Sequence, residues 1–424
     1  MKYQLPYGDQ TVEICLPFEG LVLAPQKTKP LTDPEGFIRR ILYEPIGGLP
    51  FDEALSTKGK VAIVVNDETR VARTEIFLPI LLDELNRIGI PDSRIYAVIA
   101  NGTHRPMRED EIRRKVSAEA LERIKVYNHV SKGKGMVYVG TTKAGTEVAY
   151  NGRVMAADKI ILTGSILYHF FAGYGGGRKA LFPGVAAYQS IEQNHLISLH
   201  PEATFGKLKG NPIEEDFQEA VAFRKPDFLL NTILDEGKNI VGVVAGDYRQ
   251  AHEARCRIVD QVYGCPVKRP ADLVIASCGG YPKDINVFQA HKTMENAARI
   301  TRSGGVVILF AECRDGIGPA NFVHWLKTNG SSREMEEKLR GKFAFGAHKS
   351  YFLARLTEKV DIFLLSSIPK KKLNNLFVKP MDSFEEAIKY ATAKLGPLPF
   401  TYIMPQGGLV FPWVERNGYD GSHR

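Results

Sequence analysis

The segment that decides the fold reads Gly164-Ser-Ile-Leu-Tyr-His-Phe-Phe-Ala-Gly-Tyr-Gly-Gly-Gly-Arg-Lys-Ala-Leu-Phe-Pro-Gly184. The apolar residues Ile160–Leu162 precede it and are typical of a buried strand that ends near Thr163. In α/β folds, catalytic groups follow the carboxyl ends of such strands. Glycine backbones can approach a ligand closely and expose their N–H groups to an anion, and a lysine can pair with phosphate or react as an amine. The segment therefore predicts an anion or cofactor site that includes Lys179.

Two common glycine motifs do not match this segment. A phosphate-binding loop requires Ser or Thr after its lysine, whereas Ala180 follows Lys179. The dinucleotide fingerprint G-x-G-x-x-G is also missing from the glycine run. The spacing alone does not identify the ligand, and a plain turn remains the alternative.

Upstream, strand and helix patterns alternate, which predicts a doubly wound, mostly parallel sheet with helices on both faces. Three strands with strong apolar signals are expected, and each ends in a loop rich in polar residues. The strands are Val61–Val65, Arg94–Ala100 and Lys159–Leu162, and their loops carry Asp67 with Arg70, His104, and the residues from His169 to Lys179. Adjacent parallel strands would bring these loops to one edge of the sheet.

The second half of the chain restarts the α/β pattern after the proposed linker Cys265–Pro270. A strand over 271–276 leads into a glycine loop with Gly279 and Gly280. In the helix expected over 285–298, Gln289 and Lys292 lie three residues apart and hence on one face. The sequence thus predicts an N-terminal α/β domain over 1–265 and a smaller C-terminal α/β domain over 266–424.

Composition narrows the class of protein. The 424 residues exceed one ordinary core, and the net charge of +8 favours small anionic partners. The basic residues are dispersed and no nucleic-acid motif is present, so nucleic acid is not expected as a partner. The five cysteines form no C-x-x-C pair, and no membrane span or signal peptide is expected, which together predict a cytoplasmic protein.

Three histidines stand out because each follows a predicted strand or the glycine run. His104 and His169 could act as general bases on opposite faces of one substrate, as interconversion of mirror-image molecules requires. His195 with Lys179 could anchor a metal-bearing cofactor, since one histidine is too few for a metal site built by protein alone. The remaining histidines that we considered are expected to be structural: His129, His252, His291, His324 and His423.

Taken together, these motifs resemble the nickel-dependent lactate racemase family over nearly the whole chain. No single motif is specific, but the ordered set is. The matching segments are Asn-Asp-Glu-Thr-Arg at 66–70, Gly-Thr-His-Arg-Pro at 102–106, the segment 169–179, Leu-Phe-Pro-Gly at 181–184, Asn-His at 194–195, Gly-Asn-Pro at 210–212, Gly-Gly-Tyr-Pro at 279–282 and Gln-Ala-His-Lys at 289–292.

The resemblance implies a nickel-pincer nucleotide cofactor, which is pyridinium-3,5-bisthiocarboxylic acid mononucleotide with bound nickel. It implies that Lys179 attaches the cofactor covalently and that His195 is the protein ligand of nickel. His104 and His169 would be the acid/base pair, with Asp67 beside them and with Gly279 and Gly280 near the cofactor. Arg70, Gln289 and Lys292 would bind the substrate carboxylate. Cofactor-maturation enzymes would be partners, and recombinant protein could lack the cofactor.

The implied reaction is the racemisation or epimerisation of a 2-hydroxy acid by proton-coupled hydride transfer, in a cleft between residues 1–265 and 266–424. Some residues depart from the lactate enzymes: Phe288 stands where they have a tyrosine, His348 falls near where they have a tryptophan, and Val71 replaces a proline. The altered substrate wall leads us to expect a 2-hydroxy acid other than lactate. The alternatives are lactate racemase activity itself, a nicotinamide-type dehydrogenase, or a nickel-cofactor-binding protein without turnover.

Overall fold

A computed structural model describes residues 1–374 and 376–415. The chain forms two compact units. The N-terminal unit is Lys27–Val262, and the C-terminal unit consists of Met1–Gln26 together with the described residues from Tyr263 to Glu415. The chain end 417–424, predicted to be frayed, and His423 lie outside the described residues.

The described strands and helices alternate along most of the chain. The strands are β1 (Lys2–Tyr7), β2 (Gln10–Cys15), β3 (Gly20–Val22), β4 (Val61–Asn66), β5 (Ile95–Ala100), β6 (Lys125–Asn128), β7 (Met136–Thr141), β8 (Glu147–Asn151), β9 (Lys159–Ser165), β10 (Tyr168–His169), β11 (Gly173–Tyr174), β12 (Phe228–Leu234), β13 (Ile240–Gly246), β14 (Gly264–Val267), β15 (Ala271–Ser277), β16 (Thr301–Phe310), β17 (Asp361–Leu365), β18 (Lys379–Met381), β19 (Thr401–Met404) and β20 (Phe411–Val414). The α-helices are α1 (Pro34–Tyr43), α2 (Phe51–Leu55), α3 (Thr74–Arg87), α4 (Glu109–Val116), α5 (Ala118–Arg123), α6 (Gly152–Met155), α7 (Tyr188–Leu196), α8 (Pro212–Ala222), α9 (Gln250–Tyr263), α10 (Val287–Arg299), α11 (Ala320–Thr328), α12 (Ser332–Gly341), α13 (Ala347–Lys359), α14 (Lys370–Leu373) and α15 (Phe384–Leu395).

The N-terminal unit is built on a six-stranded sheet in the order β13-β12-β9-β4-β5-β6. Its strands are parallel except for the antiparallel pair of β12 and β13. The central strand β4 is an apolar run, and Val61–Val65 are all buried, as expected for a strand covered on both faces. Since β4 lies between β5 and β9, the loops after these three strands emerge side by side at one edge of the sheet.

The C-terminal unit contains a second six-stranded parallel sheet in the order β18-β17-β16-β15-β19-β3. All residues of strand β15 except Asp272 are buried, and helix α10 packs on β15 and β16. The α/β class and the two-domain organisation predicted from the sequence are confirmed.

The assignment of residues 1–26 to the N-terminal domain is corrected by the structure. Strand β3 pairs with β19 and becomes the edge strand of the second sheet. Leu5 and Ile14 of the β1–β2 hairpin are buried in the same core as Ile275. The start of the chain therefore completes the core of the C-terminal unit, which sequence proximity alone could not reveal. Among the described residues, no helix is both long enough and apolar enough to cross a membrane.

Candidate active site

Asp67 and His104 form a hydrogen-bonded pair at the carboxyl edge of the first sheet. Asp67 follows β4 and His104 follows β5, so the parallel pairing of these strands brings them together. Asp67 Oδ2 lies 2.6 Å from His104 Nδ1. The side chain of Asp67 is only 6% exposed, whereas that of His104 is 48% exposed. The carboxylate is therefore a fixed support, and the imidazole presents its other nitrogen outward.

The electrostatics of this pair favour the carboxylate anion. Burial of Asp67 opposes its ionisation, but the hydrogen bond and charge of His104, the hydrogen bond from Thr69 and the charge of Arg70 outweigh it. The pKa of Asp67 is consequently lowered from its usual value. An ionised Asp67 keeps the proton of the neutral imidazole on Nδ1, which leaves the Nε2 lone pair of His104 available as a base.

Two residues that sequence reasoning missed hold Arg70 beside this pair. Thr69 Oγ1 donates to Asp67 Oδ1 at 2.7 Å and accepts from Arg70 at 2.9 Å. Lys115 Nζ donates to the Arg70 carbonyl at 2.5 Å. Burial of Lys115 lowers its pKa to about 8, against the opposing effect of nearby carboxylates. Lys115 is the single lysine of the strongly charged helix α4, and the sequence gives no sign that it is buried.

The ring of Phe171 gathers three of the predicted functional side chains. Phe171 occupies the turn between β10 and β11, and it is 3% exposed. Its ring centroid lies 4.4 Å from that of His169 and 5.4 Å from that of His195, both in edge-on geometry. Lys179 Nζ lies 5.7 Å from the same centroid. We call His169, Phe171, Lys179 and His195 the hairpin cluster.

Within the hairpin cluster, His169 is held in its neutral form. Burial and then the positive charges of Lys179, Arg70 and further neighbours lower the pKa of His169 well below its usual range. Its Nδ1 accepts a hydrogen bond from the Ala172 backbone N–H at 3.3 Å. This contact favours the tautomer with the proton on Nε2, which is the opposite of the tautomer that Asp67 favours in His104.

The basic pair in the glycine segment divides into two different environments. Burial, followed by the charges of Arg178 and Arg70, lowers the pKa of Lys179 well below its usual range, which favours the uncharged, nucleophilic amine. Arg178 is completely buried and forms an ion pair with Glu214. One of its guanidinium nitrogens lies 3.2 Å from His252 Nε2. Arg178 thus anchors the loop, whereas Lys179 offers an amine whose uncharged form is favoured.

Three glycines of the run, Gly173, Gly175 and Gly177, make close contacts with other parts of the protein instead of forming a cradle for an anion. A Cβ at Gly173, where φ is +71°, would lie 2.2 Å from the Lys207 carbonyl oxygen. The N–H of Gly177 donates to Asn231 Oδ1 at 2.6 Å. The N–H of Gly175 donates to the Leu167 carbonyl at 2.6 Å. The expectation that these N–H groups are available to an anion is therefore wrong at Gly175 and Gly177.

His195 lies in the last turn of helix α7. Its neighbour Asn194 is completely buried and donates to Asp216 Oδ2 at 2.7 Å. This bond anchors the turn of the helix that carries His195. Among the residues that the structure describes, no group of three or more His, Cys, Asp and Glu side chains is arranged to hold a metal ion.

In the C-terminal unit, the four predicted substrate residues lie on the packed helices α10 and α13. Lys292 Nζ donates to Gln289 Oε1 at 2.9 Å. Phe288 packs edge-on against Phe322 with 5.2 Å between centroids, and Lys349 Nζ lies 3.9 Å from the Phe288 centroid. We call Phe288, Gln289, Lys292 and His348 the helix-pair cluster.

His348 is buried among aromatic rings of the C-terminal unit. It stacks on Phe343 with 5.3 Å between centroids and meets Phe352 edge-on. Burial, then the charge of Lys349, lowers the pKa of His348 to about 4, so its imidazole is neutral near pH 7.

The predicted cofactor contacts Gly279 and Gly280 have local packing reasons to be glycine. A Cβ at Gly279 would lie 2.3 Å from Gln406 Oε1, and one at Gly280 would lie 2.7 Å from the Gly8 carbonyl oxygen. Both residues have positive φ values, +93° and +73°. Their approach to a cofactor remains a prediction.

Comparisons with known proteins agree over nearly the whole chain. The family model described as the lactate racemase N-terminal domain matches residues 7–206, and that of the lactate racemase C-terminal domain matches residues 267–411. Lactate racemase of Thermoanaerobacterium thermosaccharolyticum is 31% identical over 419 residues, which is 96% of this chain and 98% of the relative. Lactate racemase of Lactiplantibacillus plantarum is 31% identical over 378 residues, 87% of this chain and 89% of the relative.

Two solved structures share the fold. The lactate racemase apoprotein from Thermoanaerobacterium thermosaccharolyticum superposes with a TM-score of 0.89 at 29% identity and covers 98% of this chain and 100% of its own. A protein from Thermotoga maritima superposes with a TM-score of 0.68 at 19% identity, over 92% of this chain and 100% of its own, and this similarity shows the fold alone.

Proposed function

Because the chain belongs to the lactate racemase family, we propose that it is a racemase or epimerase of a 2-hydroxy acid that uses a covalently bound nickel-pincer nucleotide. The observation that carries the proposal is the hairpin cluster, in which one phenyl ring contacts His169, Lys179 and His195. The proposed roles of these residues differ: His169 is an acid/base group, Lys179 is the amine that attaches the cofactor, and His195 is the metal ligand. Their meeting on a single ring is what a cofactor-dependent site needs.

The side chains present fit the proposed cofactor. Lys179 offers an amine whose uncharged form is favoured, as attachment to a thiocarboxylic acid group requires. His195 offers an imidazole, a suitable nickel ligand, beside the same phenyl ring. When bound, the group supplies the remaining nickel ligands and accepts and returns the hydride of the substrate Cα.

The two histidines have complementary roles in the proposed reaction. His104, with its proton on Nδ1 facing Asp67, accepts the hydroxyl proton of the substrate at Nε2. His169 acts as the acid in its imidazolium form: it donates a proton from Nε2 to the carbonyl oxygen of the 2-keto acid when the hydride returns to the opposite face, and it is left as the neutral imidazole that burial favours. The reverse reaction exchanges the roles. One turnover therefore leaves His104 protonated and His169 neutral, and exchange of protons with solvent restores the starting state for the next turnover in the same direction.

We further propose that Arg70, Gln289 and Lys292 bind the substrate carboxylate. Arg70 is fixed through Thr69 and Lys115, so its planar fork is oriented in advance for a carboxylate. Lys292 and Gln289 provide a cation and an amide that already contact each other. The cations Arg70 and Lys292 can offset the charge of a carboxylate, and the amide of Gln289 can donate a hydrogen bond to it.

The substrate that we propose is a 2-hydroxy acid other than lactate, larger or more polar. Phe288 lacks the hydroxyl of the family tyrosine, and His348 replaces the indole of the family tryptophan with a smaller ring. Both residues pack against other aromatic side chains. The change of wall residues, with the acid/base groups retained, is what a change of substrate requires.

The test uses protein produced with cofactor-maturation enzymes and a panel of enantiomerically pure 2-hydroxy acids, followed by chiral chromatography. Intact-protein mass spectrometry, with peptide mapping, should locate the adduct on Lys179 with about one nickel per chain, as a single cofactor site predicts. A clear preference for lactate would contradict the proposed substrate. Bound nickel without turnover of any acid would instead favour a cofactor-binding protein.

A further inference from the structure

One face of helix α9 contacts the segment that carries the hairpin cluster. His252, Cys256 and Asp260 are spaced by four residues and therefore lie along one side of the helix. The interval between His252 and Asp260 corresponds to about 12 Å of helix, enough to span several residues of a folded loop. Both ends of this side make hydrogen bonds to the segment from Tyr168 to Arg178.

Asp260 ties together the two strands of the β10–β11 hairpin. Its Oδ1 accepts hydrogen bonds from the hydroxyls of Tyr168 and Tyr174, the latter at 2.7 Å. These tyrosines are register partners, and their rings stack with 5.0 Å between centroids. His169 directly follows Tyr168 and pairs with Gly173. One carboxylate oxygen thus fixes the strand pair from which the imidazole of His169 projects.

His252 holds the other end of the segment. Its Nε2 lies 2.8 Å from the Gly175 carbonyl oxygen and donates to it. Both ring nitrogens lie within 3.3 Å of a guanidinium nitrogen of Arg178, the residue before Lys179. Burial, with the charges of Arg178 and Lys179, lowers the pKa of His252 to about 3 despite the bond to Gly175. The neutral ring therefore contacts the glycine run at Gly175 and the chain directly after the run at Arg178.

From these contacts we propose that Asp260 and His252 are positioning residues of the racemase reaction, which fix His169 and Lys179 relative to each other through the hairpin and the glycine run. This inference rests on the proposed function. Phenylalanines would fill the core as well as Tyr168 and Tyr174, and placing two hydroxyls and a carboxylate there costs desolvation. The directional bonds provide orientation, which apolar packing would leave less defined.

The first experiment compares kcat and KM of the cofactor-loaded enzyme. Asp260→Leu and the double variant Tyr168→Phe/Tyr174→Phe each remove the hydrogen bonds by which Asp260 bridges the two hairpin strands, and we call these the bridge variants. Asp260→Asn keeps an acceptor oxygen. The bridge variants should lower kcat about 100-fold, the effect of a misplacement near 1 Å, with little change in KM. Asp260→Asn should recover much of this loss. Adding Asp260→Leu to the double variant should have little further effect.

Asp227→Asn is the matched control. Asp227 accepts hydrogen bonds from Lys159 and the Ile160 backbone at the start of β9, far along the strand from the hairpin. It should destabilise the unit while leaving kcat close to that of the wild type. If Asp260→Leu keeps the wild-type kcat, or loses no more than Asp227→Asn at equal thermal stability, the proposal is overturned.

The second experiment needs no cofactor or turnover. In the apoprotein, amide hydrogen exchange over residues 168–179 should accelerate by about tenfold or more in the bridge variants, as loss of bonds to a charged acceptor predicts, but not in Asp227→Asn. His252→Leu should accelerate exchange mainly near Gly175. Unchanged exchange would contradict the inference. If exchange responds and the wild type racemises no 2-hydroxy acid, the positioning role stands and the proposed function fails.

Discussion

The hairpin cluster and the helix-pair cluster treat their polar groups differently. In the hairpin cluster, burial and neighbouring charges lower the pKa values of both His169 and Lys179. In the helix-pair cluster, Lys292 is exposed and contacts Gln289, its neighbour one helical turn away. The first arrangement favours the neutral forms of its imidazole and amine, whereas the second places an exposed cation beside an amide, with the neutral His348 buried nearby in the same unit. In our proposal the chemistry therefore lies in the N-terminal unit, whereas Gln289 and Lys292 of the C-terminal unit add contacts to the substrate carboxylate beside Arg70.

The electrostatics of the hairpin cluster also point to an anionic occupant. Lys179, Arg70 and Arg178 all lower the pKa of His169, which shows that positive charge is unfavourable there, although Arg70 is exposed and Arg178 is paired with Glu214. A ligand that carries phosphate or carboxylate groups would offset this repulsion. The proposed nucleotide cofactor and the 2-hydroxy acid both carry such groups.

The most severe test of the comparison is the substitution Lys179→Met. It preserves the length of the side chain but removes the amine, so the covalent adduct should disappear and turnover should fall by about 10⁴-fold or more, because the cofactor carries the chemistry. Intact mass and chiral chromatography measure both effects. The exposed Lys225→Met is the control. An adduct of normal mass on the Lys179→Met protein would refute the attachment site.

The next largest effect is expected from His104→Gln and His169→Gln. Each removes one acid/base group and should lower kcat by about 10²–10⁴-fold, with nickel content unchanged. Asp67→Asn should lower kcat as well, since the amide no longer fixes the Nδ1 proton of His104. The exposed His200→Gln is the control. Full activity in either single variant would remove that histidine from the proposed pair.

Much of the first unit could be predicted from the sequence because its signals are local. The apolar run Val61–Val65 and the strand before Gly164 identify parallel strands, and parallel strands place their following loops side by side. The meeting of Asp67 with His104 follows from that rule. By contrast, nothing in the sequence distinguishes Phe171, whose ring joins the cluster, from the other apolar residues around it.

What could not be predicted depends on contacts between distant segments. Strand β3 joins the sheet of the C-terminal unit although almost 380 residues separate it from β19 in the chain. No periodic pattern in the sequence indicates that Lys115 is buried or that Asp260 accepts hydrogen bonds from Tyr168 and Tyr174. The sequence predicts a glycine run that is open to a ligand, whereas Gly173 packs against Lys207 and Gly177 donates to Asn231.

A smaller effect, on binding rather than chemistry, is expected in the helix-pair cluster. Lys292→Met and Gln289→Leu each remove one contact to the proposed carboxylate and should raise KM by about 10–100-fold, the range for a hydrogen bond to a charged group. The kcat value should change less than in the histidine variants. Lys389→Met, on an exposed part of helix α15, is the control. A loss confined to kcat would break the division between recognition and chemistry.

The smallest effect concerns stability and compares one buried histidine from each unit. The pKa is lowered to about 3 in His252 and to about 4 in His348, mainly by burial, whereas the unfolded chain has the usual value near 6.5. As the pH falls below about 6.5, the unfolded state binds protons that the folded state excludes. Each group therefore lowers the free energy of unfolding progressively until its folded pKa is reached.

Replacing either histidine with Gln should make this pH dependence weaker. Between pH 7 and pH 5, one such group accounts for about 2 kcal/mol of the loss in unfolding free energy, by proton linkage. Denaturant titrations at the two pH values measure it, with the exposed His200→Gln as control. If the units unfold in separate steps, His252→Gln should alter only the transition of the N-terminal unit and His348→Gln only the other. An unchanged loss in both variants would mean that these imidazoles take up protons in the folded protein, and the contrast between buried and accessible polar groups would need revision.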